Sequence, residues 1–69
     1  MLEVDIYIDS SVSEAPLVFL YNHANVINRY DLELCDYQSE LKVHISEDQL
    51  KDFTTRFPDT RIVVNNHFD

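Results

Sequence analysis

Two stretches of this chain alternate strictly between apolar and polar residues, and that period of two constrains the fold more than any other feature. In LEVDIYID, residues 2–9, Leu2, Val4, Ile6 and Ile8 fall on one side and Glu3, Asp5, Tyr7 and Asp9 on the other. In ELKVHI, residues 40–45, Leu41, Val43 and Ile45 alternate with Glu40, Lys42 and His44. Successive side chains of a strand point to opposite faces, so each run describes a strand with one buried face.

The intervening segments read as helices. In DSSVSEAP, Ser13 is the expected N-cap, and Pro16 falls in the first turn, where its missing N–H does no harm. From Leu17 to Ile27, residues Leu17, Leu20, Tyr21, Ala24 and Ile27 share a helical face, and Asn28 is placed to close the helix in the left-handed conformation. SEDQLKDFTTRF is the clearer helix. Ser46 and Gln49 form a capping box, Glu47 and Asp48 suit the positive end of the dipole, and Leu50, Phe53 and Phe57 share a face before Pro58 stops it. In RYDLELCDY, Tyr30, Leu32 and Leu34 alternate with Asp31, Glu33 and Cys35, and this run is expected to pair with residues 40–45 as a hairpin. TRIVVNN supplies a last strand with Ile62 and Val64 inward.

The order β-α-β-β-α-β predicts a single α+β domain over residues 1–69. The expected architecture is a ferredoxin-like two-layer sandwich, with an antiparallel sheet in spatial order 4-1-3-2 and both helices on one face. A chain of 69 residues buries roughly 60% of its unfolded surface, enough for one core. No apolar run is long enough to span a membrane, and a lone cysteine, Cys35, forms no internal disulfide, so a cytoplasmic protein is expected.

Charge is the unusual part of the composition. Thirteen acidic residues against five basic ones give a net charge of −8. Self-repulsion of that size weakens a small fold, which suggests that the charge serves a partner. The chain also contains no glycine, which excludes the close backbone approach of phosphate-cradling and dinucleotide-binding loops. The helix-free face of the predicted sheet carries Glu3, Asp5 and Asp9 from the first strand, Asp31 and Glu33 from the second, and Glu40 from the third. Nucleic-acid readers of such a sheet need basic residues and stacking aromatics, so direct nucleic-acid binding is not expected. Alternate strand residues lie about 6.6–7 Å apart, and carboxylates at that interval can stand in for phosphates in a partner's basic groove. These six acidic residues are the expected partner-binding set.

On the first helix, Val18 and Phe19 point away from the core stripe, together with Val26. Exposed apolar residues there imply a homodimer through Val18, Phe19 and Val26. No enzyme, cofactor or metal site is expected. His23, His44, His67 and Cys35 lack the close ligand spacing of structural zinc sites, and the carboxylates beside Cys35 disfavour a reactive thiolate.

Two resemblances accompany these readings. DIYIDSS, RYDLEL and FPDTRIVVNNHF resemble the first strand, the second strand and the approach to the third strand of glutaredoxins. Val12, Ser13, Glu14 and Ala15 stand where that family's cysteine motif belongs, and Thr60 stands where its proline is expected. The resemblance therefore implies a redox-inactive, truncated glutaredoxin-like or thioredoxin-like structural or regulatory domain, in which QSELKVHI is loop. In size and acidity the chain is similar to phage-encoded host-takeover proteins that imitate DNA. That likeness implies an inhibitor in the host bacterial cytoplasm, with a basic DNA-binding partner such as a histone-like HU nucleoid protein.

Overall fold

The computed structural model describes residues 1–9, 13–32 and 37–67. The elements follow in the order β1 (Leu2–Ile8), α1 (Ala15–His23), β2 (Asn25–Asp31), β3 (Ser39–Ile45), α2 (Glu47–Arg56) and β4 (Arg61–His67). They form a small α+β structure with one four-stranded antiparallel sheet, ordered β2-β3-β1-β4, and two helices.

The alternation of the two central strands becomes burial. Leu2, Val4, Ile6 and Ile8 of β1 and Leu41, Val43 and Ile45 of β3 are buried in one cluster with Leu17, Phe19 and Leu20 of α1 and Phe53 of α2. Both helices thus cover the same side of the sheet. The other side carries Glu3, Asp5, Tyr7, Glu40, Lys42 and His44, all half-buried among their neighbours. The register runs from Leu2 opposite Ile45 to Ile8 opposite Ser39, without interruption.

Helix α2 follows its sequence signals. Ser46 caps it, its hydroxyl accepting from the Gln49 N–H at 3.2 Å. Leu50 and Phe57 pack against the core on either side of fully buried Phe53. The chain leaves the helix at Phe57, whose N–H donates to the Phe53 carbonyl, directly before Pro58.

Helix α1 departs from expectation in three ways. Its N-cap is Glu14, while Ser13 instead accepts a hydrogen bond from the Ala15 N–H at 3.1 Å. It ends four residues early, because Ala24 turns extended and Val26 and Ile27, both β-branched, continue as strand. Asn28 is therefore a strand residue, not a left-handed helix cap. No described residue has a positive φ, so this glycine-free chain makes its described connections without the left-handed conformation. The third departure is Phe19, which is buried. A helical wheel drawn against a sheet alone leaves it outward, but the neighbouring helix closes that flank. Its ring lies 5.6 Å from Phe53 and 6.0 Å from Phe57, with the Arg56 guanidinium 5.5 Å above it.

The hairpin is formed by residues 25–31 with 39–45, so its first strand starts five residues before the expected Tyr30. A bulge between Val26 and Asn28 then shifts the phase. Tyr30 lies opposite Glu40 on the open face, and Asp31 lies opposite buried Ser39 on the helix side, the reverse of the sequence expectation. The glutaredoxin-like expectation for QSELKVHI is also corrected. Ser39–Ile45 is a strand inside the sheet, because its alternating residues find β1 on one side and β2 on the other.

Candidate functional site

The register sorts the open face of the sheet into three rows, each crossing β2, β3, β1 and β4 in turn. Asn25, His44, Glu3 and Asn66 form the first row, and Asn28, Lys42, Asp5 and Val63 the second. Tyr30, Glu40, Tyr7 and Arg61 form the third. Each carboxylate is thus flanked by a cation or a hydrogen-bond donor on a neighbouring strand.

The contacts are specific. The Glu3 carboxylate lies 3.2 Å from His44 Nε2. Asp5 accepts a hydrogen bond from the Asn65 side-chain amide at 2.7 Å. Asn65 reaches it from an irregularity in the β1–β4 pairing, where Glu3 faces Asn66 but Val4 faces Val64. In the third row Tyr7 shares a side-chain hydrogen bond with Glu40, which holds its phenol above the usual tyrosine value. Partial burial and the charges of Glu40 and Asp5 push the same way, against the opposing pull of Arg61. The Arg61 guanidinium stands 5.8 Å from the Tyr7 ring centre, and the centre of the Tyr37 ring lies 5.9 Å from it.

This face is close to charge balance. Three carboxylates, Glu3, Asp5 and Glu40, stand against two cations, Lys42 and Arg61, so most of the net charge of −8 resides elsewhere. Cross-strand pairs of opposite charge contribute about 0.2–1 kcal/mol each, enough to orient the side chains. Among the described acidic residues off this face, Glu14, Asp31, Glu47, Asp48 and Asp59 are exposed.

The expected partner-binding set is therefore divided. Glu3, Asp5 and Glu40 come together on the open face, and Asp9 lies one residue beyond β1. Asp31 is on the opposite side of β2, 3.8 Å from the guanidinium of Arg29. Glu33 lies outside the described residues, as does Cys35. Sequence reasoning missed Tyr30, Asn25 and Asn28 on this face. The β-branched pair Val26–Ile27 was the available signal that a strand had already begun.

The expected dimer residues also separate. Val18 is 54% exposed, but Phe19 is 6% exposed and belongs to the core. Val26 is a strand residue opposite Val43 and packs against the core, so neither it nor Phe19 is an outward anchor. The histidines are dispersed. His44 meets Glu3, His67 approaches Glu47 at 3.8 Å, and the His23 ring lies 4.7 Å from that of Phe19. Among the described residues no three His, Cys, Asp or Glu side chains are grouped to hold a metal ion, and no helix is long and apolar enough to cross a membrane. Comparison with known protein families, curated proteins and solved structures finds no match.

Proposed function

We propose that the chain is a ferredoxin-like βαββαβ domain that acts without catalysis, occupying the nucleic-acid-binding surface of a basic partner such as a histone-like HU protein. The observation that carries this reading is the pair Glu3 and Asp5. They occupy successive outward positions of a central strand, about 6.6–7 Å apart, and each is held in orientation by a neighbour, His44 or Asn65. Carboxylates already oriented lose less side-chain freedom when a partner binds them. The net charge of −8 supplies the long-range attraction, which accelerates encounter with a basic surface. Lys42 and Arg61, on the same face, temper that field locally and favour a partner that also offers acceptors to them.

A histone-like HU protein carrying a labelled DNA duplex is the direct probe. Adding the chain should release the duplex at low salt and progressively fail as salt rises, since charges beyond about 10 Å are screened at 0.1 M ionic strength. Asp5→Lys should weaken release more than Asp48→Lys, which changes the net charge equally but lies on α2. Equal losses would mean that binding senses only total charge, or that the helices carry the interface. If the duplex stays bound at low salt and the immobilised chain retains no basic DNA-binding protein from lysate, the reading falls.

A further inference from the structure

The carboxylates of this chain are unevenly distributed. Residues 15–30 contain no Asp or Glu, while the remainder holds all thirteen. That acid-free stretch folds into one flank of the molecule, comprising helix α1 and edge strand β2 up to Tyr30. The flank is also where apolar surface is left open. Val18 and Tyr21, one turn apart on α1, are 54% and 53% exposed. Beside them a shallow groove of about 310 Å³ is lined by Glu14, Leu17, Val18, Tyr21, Asn22 and Arg29.

We propose that this α1–β2 flank is a two-fold interface that takes a second copy of the chain, with Val18 and Tyr21 as its apolar anchors. Charge selects that occupant. Two molecules of charge −8 repel each other across most of their surfaces, and the repulsion is weakest where carboxylates are sparse, as on this flank, which Glu14 and Asp31 border. The border of the groove is self-complementary, because Glu14 and Arg29 both line it and the Arg29 guanidinium, which lies 3.8 Å from Asp31 of its own chain, has further donors to offer. A two-fold axis sets each patch against itself, so one Glu14–Arg29 pairing across the interface is necessarily made twice. Tyrosine and arginine are also, with tryptophan, enriched among energetically dominant interface residues. A strongly basic partner, by contrast, is drawn to the acidic surfaces that this dimer leaves open, so the inference does not depend on the partner reading above.

The chain has a second acid-free stretch, residues 60–68, which contains β4. Its exposed valines are divided between the two faces of the sheet, Val63 opposite Asp5 and Val64 opposite Val4. They do not form one patch, and β4 serves here as the control.

Sedimentation equilibrium over a wide range of protein concentration tests the inference, with far-ultraviolet circular dichroism verifying that each variant is folded. The wild-type chain should sediment as a dimer. Val18→Asp and Tyr21→Asp, both at exposed positions, should each raise the dimer dissociation constant about tenfold or more. Glu14→Lys or Arg29→Glu alone should weaken the dimer, and the double variant should recover much of the loss, because the pairing is restored with its charges exchanged. Val63→Asp should leave the dimer intact. A wild-type monomer at every concentration overturns the inference. So does a dimer that survives Val18→Asp, or one that Val63→Asp dissociates in its place.

Discussion

β1 and β3 bury every second residue, whereas β2 and β4, also seven residues long, each leave six exposed. The difference lies in position. A central strand has a neighbour on each edge and a helix layer above it, so each inward side chain is enclosed. An edge strand has one neighbour, and its outer side chains lie beyond the shelter of the helices. Both edge pairings also carry irregularities, between Val26 and Asn28 and between Glu3 and Val4. Bulges of this kind twist an edge away from further pairing, one of the ways in which sheets avoid unwanted extension. The same contrast divides α1. Phe19 is enclosed between the sheet and α2, while its neighbour Val18 faces outward.

The sharpest test of the contrast uses the adjacent pair on α1. Phe19→Ala should cost about 3–5 kcal/mol in urea unfolding, the range for a buried aromatic residue, while Val18→Ala should change stability by about 0.5 kcal/mol or less. A small effect at Phe19 would mean that it points outward, as its place on a helical wheel suggests, and would break the comparison.

The strands provide the next test. Ile6→Ala, in the middle of β1, should cost about 2–5 kcal/mol. Val64→Ala, core-side but half-exposed on β4, should cost under about 1 kcal/mol. Similar losses at the two sites would show that the edge is enclosed in solution, most simply by another molecule.

The smallest expected effect sharpens the picture of the open face. The hydrogen bond to Glu40 favours the neutral Tyr7 phenol in the folded state, so its folded pKa lies above the ordinary value of 10.0. The corresponding stabilisation is fully present below pH 10 and is lost as pH rises through the raised folded value. The urea midpoint should therefore decline on the alkaline side, and Tyr7→Phe should remove that part of the decline. Because Tyr7 is partly open to solvent, the change should be small. An unchanged alkaline decline in Tyr7→Phe would show that the Tyr7–Glu40 bond does not favour the neutral phenol.

The sequence by itself determined the elements whose signals are local. β1 and β3 were legible because one face of each is fully buried, and burial of one face writes a period of two into the residues. Helix α2 was legible because Ser46 with Gln49 opens it and Pro58 closes it, each through backbone hydrogen bonding within a few residues. The open-face positions of Glu3, Asp5 and Glu40 followed directly from those strands.

Only the tertiary structure decided what depends on the identity of a neighbour. The boundary between α1 and β2 moved to Ala24 because the β-branched residues after it gain a place beside β3, which no helical wheel registers. The bulge after Val26 then set the faces of Tyr30 and Asp31. Phe19 became a core residue because α2 lies against its flank, and the carboxylates Glu3 and Asp5 of β1 gained hydrogen-bonding neighbours because His44 and Asn65 arrive from adjacent strands. These outcomes rest on contacts between residues distant in sequence, such as Asp5 with Asn65 and Phe19 with Phe53. The local pattern around each residue carries no record of them.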